Sequence, residues 1–195
     1  MDSNKDWQGF WSYVHFDDEA EGGRVSQLAR DVADQFEMMS GESISLFLDR
    51  DAIDWGQNWK ERIDASLGSI AFFIAVMTPR YFMSAECRRE LQFFVRRAAA
   101  LGMKDLVLPL HYADVPELGR SDSNDELVNL VRSFQWEDWR SLRFADRSSE
   151  AYRRAVAQLA SRLIEANRRP PGMPVHINAL PSANTTLERP DEPPG

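Results

Sequence analysis

Short apolar runs alternate along this chain with longer stretches of helical period, and no other feature constrains its fold as tightly. The alternation is that of parallel strands joined by crossover helices. Gly9-Phe10-Trp11-Ser12-Tyr13 reads as a first strand. Val25, Leu28, Ala29, Val32, Ala33 and Phe36 then recur at the spacing of an amphipathic helix over 24–39, which Ser40-Gly41 ends. A second strand is expected at 44–48, and Trp59, Ile63 and Leu67, four residues apart, predict a second helix. The run 70–77 is apolar at every position, which makes it a central strand covered on both faces, and Thr78-Pro79 closes it. A third helix starts near Ser84 with Cys87, Leu91, Phe94, Val95 and Ala98 on one side, stops at Gly102, and leads to a fourth strand at 106–110. The polar stretch 116–143 holds a short helix over 126–132 and an edge strand over 134–136. A last helix over 149–166 presents Tyr152, Ala155, Val156, Leu159, Ala160 and Leu163 to the sheet.

Beyond that helix the means of burial run out. Seven of the ten prolines fall within 169–195, a stretch without Phe, Trp or Tyr, so packing there does not offset chain entropy. The chain therefore divides into one folded domain, 1–166, and a Pro-rich disordered tail or linker, 167–195, which leads to a further module or ends the protein. Asp and Glu number 31 against 23 Lys and Arg, and no Lys/Arg run exceeds two residues. That leaves no electrostatic footprint for phosphate tracking, so nucleic acid is not an expected partner. The run 70–77 is far shorter than the roughly 20 residues that span a bilayer. Asp2 and Asp6 stand where a signal peptide would be basic, so neither a membrane nor export is expected. The lone Cys87 has no disulfide partner and no Cys/His cluster has zinc spacing, which predicts a cytoplasmic protein without a metal site.

The common nucleotide signatures are missing: no phosphate loop ends in Gly-Lys-Ser/Thr, and no Gly-x-Gly-x-x-Gly follows a strand. Asp17, Asp18, Glu19 and Glu21 lack the ligand periodicity of a calcium loop and read as a solvated loop. Cys87, in the apolar stripe of a helix, reads as a small buried hydrophobe rather than a thiol nucleophile paired with His15.

Three segments in order carry a further reading. They are Phe10-Trp11-Ser12-Tyr13; Phe47-Leu48-Asp49-Arg50-Asp51 through Trp55-Gly56-x-x-Trp59; and Thr78-Pro79-x-Tyr81-x-x-Ser84-x-x-Cys87-x-x-Glu90-Leu91. With their spacing, residues 8–166 resemble a Toll/interleukin-1 receptor (TIR) domain of the bacterial branch. The resemblance implies a flavodoxin-like α/β fold, a five-stranded parallel sheet in the order 2-1-3-4-5 flanked by helices. Open parallel sheets bind ligands beyond the carboxyl ends of their strands, where 12–15, 49–51 and 78–81 then emerge.

The resemblance also implies an activity. Many TIR domains cleave NAD at the nicotinamide–ribose bond with one glutamate in the Cys-x-x-Glu position, which is Glu90 here and is expected on a half-exposed helix turn. NAD is then substrate, and no cofactor is implied. Ser12, Tyr13, His15, Asp49, Trp59 and Glu86 fall at positions implied to line the substrate site. Glu86 stands where many active members carry Trp, one helical turn before Glu90 on the same face. Asp54, Trp55 and Gly56 form the centre of the loop through which TIR domains assemble, implying a homo-oligomer or filament. The function expected is thus a TIR-domain NAD glycohydrolase in immune signalling or NAD depletion, activated by self-assembly. The alternative is a non-catalytic TIR–TIR interaction module. ADP-ribose, a cyclic isomer and a base-exchange product all begin with the same bond cleavage.

Overall fold

Along β3 (Ala71–Met77) the side chains alternate between two apolar clusters, as the period of an extended strand requires. Phe72, Ile74 and Val76 enter one cluster, and Phe73, Ala75 and Met77 enter the other. The computed structural model describes residues 7–48, 71–100, 106–120 and 122–168. Within them β3 is flanked by β1 (Trp7–Ser12) and β4 (Val107–His111); β2 (Ile44–Phe47) lies outside β1 and β5 (Glu137–Asp138) outside β4. All four pairings are parallel, and the sheet order is 2-1-3-4-5. The register sets Ser12 opposite Ala75 and Met77 opposite His111, so the carboxyl ends of the three inner strands finish together.

Helices cover both faces. On one, α2 (Arg24–Ser40) and the last helix, α7 (Glu150–Arg168), pack against each other and the sheet, burying Val25, Leu28, Val32 and Phe36 against Leu159, Ala160 and Leu163. On the other lie α3 (Pro79–Met83), α4 (Ala85–Ala100) and α6 (Glu126–Arg132). Here Phe73 stacks on Phe94 of α4 at 4.3 Å between ring centroids, and Phe10 of β1 stacks on Phe73 at 5.7 Å. Three elements are thereby tied together through apolar rings. Two shorter helices, α1 (His15–Ala20) and α5 (Pro116–Gly119), follow the ends of β1 and β4. Among the described residues no helix is long and apolar enough to cross a membrane.

Two expectations change. The acidic stretch 17–21 is not a solvated loop: it forms α1 and its C-cap, because its carboxylates have partners. Asp18 accepts from the Ser26 amide at 2.9 Å, and Glu21 receives Arg143 and the Tyr112 hydroxyl. The helix expected from near Ser84 is α4, which starts at Ala85, and a short helix not foreseen precedes it: Thr78 caps α3 and Pro79 occupies its first turn, with Ser84 extended between the two. The edge strand lies at Glu137–Asp138, just past 134–136, because Leu110 and His111 set its register while Phe134 and Trp136 pack as side chains under the sheet. The helix read from Trp59, Ile63 and Leu67 lies outside the described residues, and so does the chain after Arg168. Gly41, at φ 74°, ends α2 in the left-handed conformation that glycine adopts without strain.

One polar pin joins the two helices of the first face. Asp31 of α2 accepts from Tyr152 of α7 at 2.8 Å, from Arg147 Nε at 3.0 Å and from Gln27 at 3.0 Å. Burial pushes this carboxyl up, but the three donors outweigh it and hold it below the usual range. The stabilisation is therefore present at neutral pH and is lost as pH falls through the folded-state value. Asp31→Asn is expected to cost about 1 kcal/mol at pH 7. In urea unfolding at a series of pH values, its deficit against the wild type should shrink below about pH 4.

Candidate functional site

Among the described residues four polar or charged side chains are buried: Ser12, Thr78, Glu90 and His111. All four gather at the carboxyl edge of the sheet. Ser12 ends β1, Thr78 follows β3, His111 ends β4, and Glu90 reaches the same edge from the second turn of α4.

Strand parity places Ser12. It lies two residues after Phe10, so it faces α4, as Phe10 does. Glu90 lies four residues before Phe94, one turn along the same helix face. The aromatic stack beneath thus sets the spacing above: Ser12 Oγ donates to Glu90 Oε2 at 2.6 Å, and Tyr81 Oη lies 3.0 Å from the same Oγ. Tyr81 is held from below by Thr78, whose Oγ1 accepts the Tyr81 amide at 3.1 Å and donates to Asp17 Oδ2 at 2.6 Å. Cys87 Sγ lies 3.8 Å from the Tyr13 carbonyl, which ties the start of α4 to the exit of β1.

Phe10, Trp11, Ser12, Tyr13, His15, Leu48 and Glu90 line a shallow, narrow cleft at the strand ends. Four residues singled out in the sequence, Ser12, Tyr13, His15 and Glu90, are therefore brought together. Tyr13 is buried with its ring 5.1 Å from the exposed His15 imidazole. Glu90 is not half-exposed but 5% exposed, because its helix turn lies over the end of β1. Glu86, one turn earlier in the first turn of α4, is exposed. Arg88 forms a two-pronged pair with Asp125, at 2.7 and 3.0 Å, and Arg80 stacks on Phe16. Asp49, Asp54, Trp55, Gly56 and Trp59 lie outside the described residues. Among those described, no group of three His, Cys, Asp or Glu side chains could hold a metal ion.

Two features had no signal in the sequence. Tyr81 stands in the third motif, but nothing local reveals that its hydroxyl reaches β1. His111 is buried against Trp136 and accepts the Val115 amide on Nε2 at 3.4 Å. Burial and the Arg140 guanidinium push this imidazole below its usual range against the opposing pull of Asp138 and Asp114, and Arg140 in turn holds Asp138 down to about 2.

What the arrangement offers chemically is a single buried carboxylate, oriented by a hydroxyl, at the edge of a cleft. It sits between β1 and β3, where the strand order reverses direction, the place at which open parallel sheets bind ligands. The family model described as TIR domain matches residues 12–156. No curated protein matches the chain.

Thr78 joins α1, α3 and the end of β3 through one hydroxyl. Thr78→Val keeps the volume and removes both bonds; a loss of about 1–2 kcal/mol is expected, read from urea unfolding midpoints at an unchanged slope.

Proposed function

The chain belongs to the TIR domain family, and from that premise we propose that it is an NAD glycohydrolase with Glu90 as its catalytic carboxylate. Family membership carries a role in TIR signalling or in NAD cleavage. The observation that favours cleavage is Glu90 itself: a carboxylate 5% exposed, bonded to Ser12 at 2.6 Å, on the wall of the strand-end cleft. A glutamate serving only solubility has no reason to be desolvated there.

In the reaction, the bond between ribose C1′ and the nicotinamide nitrogen breaks and its electron pair leaves with nicotinamide, which becomes neutral. Positive charge develops on the ribose, and the Glu90 anion stabilises it and orients the sugar hydroxyls. Water adds at C1′ and releases a proton, giving ADP-ribose; a different acceptor at C1′ gives a cyclic or base-exchanged product. Tyr13 and His15 supply the adjoining wall for the nucleotide, and the family resemblance assigns Asp49 and Trp59 to substrate binding as well. NAD is the substrate, and the carboxylate supplies the chemistry without a further cofactor. The biological role that fits is NAD depletion or signalling in a bacterial immune response.

A second reading, a non-catalytic module that only binds other TIR domains, is favoured by Glu86, which stands exposed where the family resemblance implies Trp. Glu90→Gln separates the two. It retains volume and an acceptor for Ser12, so the melting temperature should move little, while NAD consumption followed by chromatography falls at least about 100-fold. Loss of NAD at the wild-type rate in this variant would exclude Glu90 as the catalytic group.

Assembly is the expected control. Asp54, Trp55 and Gly56 form the loop proposed to complete a neighbouring subunit's cleft, so specific activity should rise with protein concentration and fall on Trp55→Ala. Sedimentation and activity over one dilution series check this: a monomer with constant activity per subunit rules out a shared cleft.

A further inference from the structure

We propose that Ser12 and Tyr81 are positioning residues for Glu90, a buried Tyr–Ser–Glu chain in which the Tyr81 hydroxyl acts on the carboxylate through Ser12. The proposal rests on the reading of Glu90 above and adds to it how the carboxylate is held.

The direction of the chain follows from proton count. Ser12 has one hydroxyl proton, and it is committed to Glu90 Oε2 at 2.6 Å. The 3.0 Å contact between Ser12 Oγ and Tyr81 Oη then has Tyr81 as the donor. Donation to Ser12 polarises its O–H and strengthens the bond to the carboxylate, since hydrogen bonds in series reinforce one another away from water. A hydroxyl donating to Glu90 Oε2 stabilises the carboxylate more than the neutral acid, so the arrangement as it stands favours the anion.

Packing alone does not call for a tyrosine at position 81. Its side chain is fully buried beside Phe82 in an apolar cluster, where phenylalanine would fill the same space without a polar group to satisfy. Its position is also determined from several sides. Thr78 holds its amide, Asp17 holds Thr78, and the Cys87 thiol holds α4 against the exit of β1. Each bond fixes one coordinate of the Tyr81, Ser12 and Glu90 oxygens relative to the others. Ser12, 2% exposed beneath Glu90, thus acts on the carboxylate rather than on the nucleotide.

The ionisable groups around this chain, among the described residues, include Tyr13 and His15 on the cleft wall, Glu86 and Cys87 on α4, and, behind Thr78, Asp17 with Arg80 4.0 Å from its carboxylate. None of them is altered in Ser12→Ala or Tyr81→Phe. In the full chain, both variants are expected to lower kcat for NAD about 10- to 100-fold with KM within about threefold, as for a misplaced catalytic group. In carbon-13 NMR of glutamate-labelled protein, the Glu90 carboxyl signal is assigned by its loss in Glu90→Gln. Its titration midpoint should move to higher pH in both variants, further in Ser12→Ala. Tyr152→Phe removes a buried tyrosine hydroxyl on the opposite face and should move neither reading.

An unchanged kcat and midpoint in Tyr81→Phe would overturn the proposal, and so would a raised KM with unchanged kcat in Ser12→Ala, which would make Ser12 a substrate contact. If Ser12→Ala does not fold, Tyr81→Phe decides alone. If the wild type does not consume NAD, the glycohydrolase reading fails, and the NMR midpoint still decides whether the chain exists.

Discussion

A parallel sheet covered on both faces leaves its polar side chains one place to go, the ends of the strands. Inside the layers every backbone group is satisfied by the ladder and every side chain meets an apolar helix face, so an unpaired hydroxyl or carboxylate there would cost several kcal/mol. At the strand ends, loops and helix termini supply donors and acceptors. Ser12, Thr78, Glu90 and His111, the buried polar side chains of the described residues, all obey this constraint. The cleft is where the architecture permits polarity.

Rigidity at that edge comes from below it. The stack of Phe10, Phe73 and Phe94 joins β1, β3 and α4, so the elements carrying Ser12 and Glu90 cannot slide past each other without breaking aromatic packing. Above the stack the bonds are directional: serine to glutamate, threonine to aspartate, thiol to carbonyl. An apolar foundation that sets distance and a polar cap that sets orientation together hold a carboxylate in one place, which is what electrostatic stabilisation of a developing charge requires.

The fold was legible because it depends on patterns repeated over many residues. The uninterrupted apolar run 70–77, the helical spacing of Val25 to Phe36, and the helix at Glu126–Arg132 are each carried by several residues at once. Short or polar elements were less legible. β5 is Glu-Asp, two residues without alternation, and exists because Leu110 and His111 offer a parallel edge. Helix α1 looked like a solvated loop because acidic residues do not announce their distant partners; Ser26, Thr78, Tyr112 and Arg143 supply them.

At the site the division is similar. Sequence alone determined the alternating α/β fold, and the family resemblance of its three ordered motifs implied the strand order and a site containing Glu90, Ser12, Tyr13 and His15. Only the tertiary structure decided that Glu90 is buried while Glu86, one turn away, is exposed, and that Tyr81 reaches Ser12 across 69 positions of sequence. The physical reason is range. Periodicity records which side of an element is apolar, a property each segment carries by itself, whereas a hydrogen bond between the end of one strand and the helices after another exists only once the sheet has brought them together.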